Sequence, residues 1–122
     1  MNLSPTIKKK NWLLRLLTSR HIAGITLAPF GIFFREDMYE QPNPVTLNHE
    51  KIHWQQQLEL FIVFFHILYV TEWLVRLFTN PSNAYRSISF EREAYENEYD
   101  LKYLENRKIF GWLKFLKTKN LK

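Results

Sequence analysis

The chain has 122 residues, of which 46% are hydrophobic, 24% charged and 16% aromatic, with three glycines, five prolines and a formal net charge of +5. This balance excludes a disordered chain, a low-complexity linker and a polytopic membrane protein, and the length predicts a single domain around one modest core. Cysteine is absent, so there is no disulfide framework or thiolate chemistry, and any metal must be held by His, Asp or Glu.

The positive charge sits at the two ends. Residues 1–20 carry five basic groups and no acid, residues 102–122 carry seven basic groups against Glu105, and residues 21–101 carry a net of −6. Such ends suit an anionic membrane surface as a partner; they do not make the continuous basic face of a nucleic-acid binder, and no nucleic-acid motif or phosphate-binding glycine loop is present. Residues 1–20 read as a basic amphipathic segment, with a short helix over 11–18 that places Trp12, Leu13, Leu16 and Leu17 on one side. No signal-peptide pattern is visible, so the expectation is an intracellular, membrane-associated protein. The oligomeric state leaves no mark in the sequence.

Residues 21–36 are rich in strand formers (Ile22, Ile25, Leu27, Ile32, Phe33, Phe34) interrupted by Ala28-Pro29-Phe30-Gly31, which predicts two short strands joined by a turn. Residues 35–42 read as a loop. Asn43 before Pro44 is a helix start, a capping side chain followed by proline at the first helical position. The helix covers 45–58 and is expected to continue through 60–78 as a buried or interfacial segment. Its apolar run, 60–71, is about 12 residues, short of the roughly 20 that span a bilayer. Glu72 and Arg76 lie at i,i+4 and suit a salt bridge. After Asn80-Pro81-Ser82-Asn83, Ser87 and Ser89 offer caps for a long helix over 90–106. A basic amphipathic helix follows over 108–117, within a C-terminal segment 107–122. Trp12 and Trp112 fit interfacial anchoring or the cover of a small core equally well.

The stretch that carries chemistry is Asn48-His49-Glu50-Lys51-Ile52-His53. It is an HExxH pattern that arises about once in a hundred shuffled sequences of this composition. Histidines four apart on a helix rise from one face about 6 Å apart and can share one Zn²⁺. Glu50 cannot join that coordination, but its carboxylate can reach a metal-bound water as general base. The plainer alternative is a helix whose histidines face solvent or a polar core. The capped helix, the preceding hairpin, the apolar flanks and a second, acidic helix favour the metal site. A third ligand is required. Residue 59 is Glu59, which removes the three-histidine pattern of the metzincins and leaves Glu91, Glu93, Glu96 and Glu98 as candidates.

The motif His49-Glu50-Lys51-Ile52-His53, an apolar helical stretch, and then Phe90-Glu91-Arg92-Glu93-Ala94-Tyr95 resemble the gluzincin metallopeptidases, in particular the membrane gluzincins of the CaaX-protease and HtpX type. The resemblance covers residues 43–98. It implies a minimal zincin-like core over residues 21–106 with an active-site helix and a glutamate helix, Zn²⁺ as cofactor, and hydrolysis of a peptide or protein substrate. Through the family's E-x-x-A-D pattern it implies Glu91 as third ligand. Ala94 matches, whereas Tyr95 stands where the family has an aspartate that orients a ligand histidine. Helical spacing puts Glu91, Tyr95 and Glu98 on one face and Glu93 elsewhere, so Glu93 and Glu98 rank behind Glu91. Gln57 shares the histidine face and reads as the polar end of that stripe or a hydrogen-bonding group in the site. Tyr85 and Tyr95 are candidate donors to a developing oxyanion. His66 reads as a core or interface histidine.

The expectation is therefore a mainly α protein with a short β-hairpin (α+β) and one zinc site. Zinc polarises the scissile carbonyl, Glu50 deprotonates the water, and Glu50 passes the proton to the leaving amine. The alternatives are a catalytically silent zinc-binding domain and a metal-free membrane-surface interaction protein.

Overall fold

The computed structural model describes residues 5–11 and 24–116. The element order is β1 (Ile7–Lys9), β2 (Gly24–Leu27), β3 (Gly31–Phe34), α1 (Glu36–Tyr39), α2 (Pro44–Glu59), α3 (Val63–Thr79), a 3₁₀ turn (Pro81–Asn83), α4 (Ala84–Ser87), α5 (Ser89–Asn97), α6 (Tyr103–Asn106) and a second 3₁₀ segment (Gly111–Phe115). The architecture is mainly α with one small sheet. The helix expected over 11–18 and the site of Trp12 lie outside the described residues, apart from Asn11.

The expected hairpin is present as β2 and β3, which pair antiparallel with Ile25 opposite Phe33. Sequence reading missed β1, which adds in parallel to the other side of β3 with Ile7 opposite Ile32, so that β3 is central and β2 an edge. Its lysine-rich Ile7-Lys8-Lys9 stretch lacks the apolar character expected of a strand, whereas Gly31-Ile32-Phe33-Phe34 is buried at all four positions, as a central strand should be. Gly31 has φ of 143°, and a Cβ there would collide with the Thr6 carbonyl oxygen, which accepts from the Ile32 N–H at 2.8 Å. Gly31→Ala is expected to cost at least about 2 kcal/mol by strain and by loosening β1; urea unfolding of the two proteins measures it.

α2 begins as its sequence predicts. The Asn43 side chain accepts from the Val45 and Thr46 backbone N–H groups, and Pro44 occupies the first turn. One face of α2 packs Trp54 against Ala28, Ile32 and Phe34 of the sheet, with Leu47 and Leu58 at the margins.

The expected continuation of α2 does not occur. The chain leaves the helix at Leu60, passes through Phe61 and Ile62 with φ of 54° and 67°, and starts α3 at an angle of 113° to α2. The Ile62 N–H donates to the Gln57 carbonyl and closes the end of α2. No glycine marks this left-handed pair, which is why the break is invisible in the sequence.

Three other expectations change. Residues 35–42 are not all loop, since α1 lies within them. The long helix over 90–106 is two helices, α5 and α6, and Ser87 and Ser89 do not cap it. Instead Glu72 accepts from the Ser89 N–H and Oγ–H at the start of α5. The tail helix is the short 3₁₀ segment, which inserts Trp112 against Phe90 (ring centroids 4.7 Å apart) in a second core cluster with Phe65 and Ile88. Trp112 is therefore a core residue and not an interfacial anchor. Glu72 and Arg76 do approach each other, at 3.5 Å.

Candidate metal centre

α2 and α5 meet so that the second turn of α2 faces the first turn of α5. His49, His53 and Glu91 are all buried and offer one ligand atom each to a common point. The separations are 3.2 Å between His49 Nε2 and His53 Nε2, 3.2 Å from His49 Nε2 to Glu91 Oε1, and 3.1 Å from His53 Nε2 to Glu91 Oε1. A tetrahedral ion with bonds of about 2.05 Å spaces its ligands about 3.3 Å apart. The three atoms thus match one face of such a tetrahedron.

Hydrogen bonds behind these residues fix which way each points its lone pair. Glu98 Oε2 lies 2.9 Å from His49 Nδ1 and accepts its proton. Gln56 Nε2 donates to the Phe90 carbonyl (3.0 Å) and to Glu93 Oε1 (2.9 Å), so the Gln56 carbonyl oxygen, 2.8 Å from His53 Nδ1, must be the acceptor there. Each imidazole therefore carries a hydrogen on Nδ1 and turns Nε2 toward the centre. Tyr69 donates to Glu91 Oε2 at 2.7 Å, which occupies the second carboxylate oxygen and leaves Oε1 for the centre. Three acceptors held within 3.2 Å of one another repel unless a cation lies among them. A proton can serve in part. Burial by itself lowers the His53 pKa, but the facing Glu91 carboxylate outweighs burial and raises it. Burial alone would raise the Glu91 pKa, yet His53 and His49 hold it far below the usual carboxylate range. A divalent ion satisfies all three acceptors at once.

Glu50 stands beside this group. Its Oε1 accepts from the Thr26 hydroxyl at 2.8 Å, and the same hydroxyl reaches the Glu50 backbone carbonyl at 2.9 Å. Glu50, His53 and Glu91 share the wall of a cavity of about 230 Å³ that is completed by β2, by Phe65, His66 and Tyr69 of α3, and by Tyr85. His66 is thus a cavity-wall residue, not a core one.

The remaining candidates have separate places. Glu98 is behind His49, not in the ligand triangle. Glu93 is fully buried but turned away from the centre, where Arg107 and Tyr103 bind it. Glu96 is not part of the ligand group. Gln57 links α2 to the hairpin, accepting from the Ala28 N–H and donating to the Thr26 carbonyl. Tyr85 borders the cavity, whereas Tyr95 sets its ring edge-on to His49 at 4.6 Å and carries the Arg86 guanidinium 4.0 Å from its face. The carboxylate that orients His49 comes from Glu98, one turn beyond Tyr95 along the chain.

Tyr69, Thr26 and Gln56 were not expected from sequence. Tyr69 was hidden in an apolar run, although a buried phenol needs a partner. Thr26 is the inward residue of a short strand. If this group holds a divalent ion, Tyr69→Phe is expected to weaken the affinity about 10- to 100-fold while leaving the fold intact, as loss of an outer hydrogen bond to a ligand does; competition with a chromophoric chelator measures it.

Comparison of the chain with protein-family models, curated proteins and solved structures gives no match.

Proposed function

We propose that the protein is a zinc-dependent peptidase in which His49, His53 and Glu91 hold the ion and Glu50 is the general base. The observation that carries this reading is the triangle of three acceptor atoms at 3.1–3.2 Å, backed by Glu98, Gln56 and Tyr69. A divalent cation at the centre of the triangle would satisfy all three acceptors together. Zinc, when bound, supplies Lewis acidity and lowers the pKa of a coordinated water to about 7.

The chain's own groups then have defined tasks. Thr26 holds one oxygen of Glu50, which fixes the carboxylate at the cavity wall for taking a proton from the attacking water and delivering it to the leaving amine. Tyr85, on the same wall, is our candidate donor to charge developing on the carbonyl oxygen. β2 is the edge along which an extended peptide is aligned by backbone pairing. Gln57 already takes the Thr26 carbonyl and the Ala28 N–H, which restricts that pairing to the part of the edge before Thr26.

Elemental analysis of the purified protein across the first-row transition metals tests the centre. One zinc per chain is expected in the native protein, and less than about a tenth of that in His49→Ala and His53→Ala. A native protein that neither contains nor takes up a divalent metal would remove the reading.

A further inference from the structure

α3 is built inside-out for a helix facing water. Its inward stripe is Phe65, Tyr69, Glu72 and Arg76, so both of its charged residues point into the protein. There Glu72 receives the start of α5, and Arg76 Nη2 donates to the Leu116 carbonyl at 3.0 Å. The outward surface is apolar: Phe64, Ile67, Val70, Leu74, Val75 and Phe78 are all exposed, Phe64 by 58% and Phe78 by 88%. The hydroxyls of Thr71 and Thr79, also outward, donate back to the Ile67 and Val75 carbonyls and so ask nothing of the surroundings.

The breadth of this surface identifies what covers it. Trp73, Leu74 and Val75 are consecutive and 39%, 47% and 50% exposed, and at 100° per residue they spread over about 200° of the helix circumference. A partner helix or a second copy covers a stripe of about 100°. A surrounding apolar medium covers the whole arc.

The 3₁₀ segment extends the same surface. Its entry is tied to the end of α2, where the Phe110 N–H donates to Glu59, and its exit to the last turn of α3 through Leu116 and Arg76. Between these ties Ile109, Phe110 and Leu113 are exposed, and the exposed Lys108 and Lys114 accompany them. Lys117, Lys119 and Lys122 follow in the sequence.

We propose that α3 is immersed in the apolar layer of a membrane, with the exposed Lys108 and Lys114 meeting anionic headgroups. At 17 residues the helix is about 25 Å long, below the roughly 30 Å of a bilayer core, so it docks the protein without crossing. Phe65, His66 and Tyr69 belong both to α3 and to the cavity wall, which sets the cavity at the lipid boundary. This inference stands apart from the metal centre and is tested with chelator present.

The full chain is mixed with vesicles of phosphatidylcholine, alone and with phosphatidylglycerol, and followed by flotation and by tryptophan quenching with acyl-brominated lipid. Expected are co-flotation, stronger with phosphatidylglycerol, and quenching that is largely lost in Trp73→Phe. The triple variant Ile67→Gln, Val70→Gln, Leu74→Gln alters exposed side chains and is expected to lower vesicle partition at least about tenfold with an unchanged circular dichroism spectrum. Should the triple variant misfold, the quenching of Trp73 in the native chain decides. The proposal fails if Trp73 is not quenched, or if a folded triple variant floats as the native chain does. It fails equally if the native chain is a vesicle-indifferent dimer that the triple variant makes monomeric.

Discussion

Glu50→Gln is expected to lower peptide hydrolysis by about 10²- to 10⁴-fold while leaving one zinc bound per chain. The substitution is nearly isosteric, and the carbonyl oxygen of the introduced amide still accepts from the Thr26 hydroxyl that now donates to Glu50 at 2.8 Å. Neither the hairpin contact nor the three ligand atoms change. What is removed is an acceptor able to carry a proton from the attacking water to the leaving amine. Turnover of a fluorogenic peptide library, measured beside metal content and thermal stability, separates the outcomes. Retained zinc with activity lost assigns Glu50 as the base. Retained zinc with no activity in either protein assigns a silent metal-binding domain, and equal activity in both places the chemistry elsewhere.

The convergence of His49, His53 and Glu91 is legible in the sequence because helical periodicity is a local property. His49 and His53 share a face by spacing alone, and Glu91 was singled out by motif resemblance and by its place on a second helix. The supporting groups were not legible, because they are set by how segments dock. Glu98 reaches His49 across 49 positions in the chain, Tyr69 reaches Glu91 across 22, and Thr26 reaches Glu50 across 24. Only the docking of α5, α3 and β2 against one another and against α2 decides these meetings. The hairpin and the Asn43 cap were readable for the same local reason. β1 was not, since three residues gain their strand character from pairing with β3. The break between α2 and α3 rests on left-handed backbone at Phe61 and Ile62, residues that give no turn signal.

The largest effect on stability is expected at Arg107, a residue outside the ligand group. Its guanidinium forks between two carboxylates: Nε and Nη2 donate to Glu93 at 2.6 and 3.0 Å, and Nη1 and Nη2 donate to Glu59 at 3.0 and 2.8 Å. The three side chains are 5%, 0% and 8% exposed for Arg107, Glu93 and Glu59. Glu93 in turn holds the Gln56 amide that orients His53, so the cluster joins the C-terminal segment to the site. Arg107→Met removes the cation and leaves two carboxylates buried, at an expected cost of about 3–5 kcal/mol. Arg107→Lys is intermediate, because one ammonium cannot fork two carboxylates.

The pH dependence distinguishes this electrostatic origin from simple packing. Burial pushes the Glu93 carboxyl up, but the hydrogen bonds from Arg107 and Tyr103 prevail and hold it below its ordinary value of 4.5. A carboxyl depressed in the folded state stabilises the fold above that ordinary value, and the contribution is lost as pH falls through the folded value. In Arg107→Met burial dominates, the Glu93 carboxyl rises, and acidification relieves the variant by protonating it. Urea unfolding of the metal-free proteins at pH 7 and at pH 4 is therefore expected to show a gap between native and variant that narrows at the lower pH. A gap of equal size at both would assign the loss to packing of the arginine stem and not to its charge.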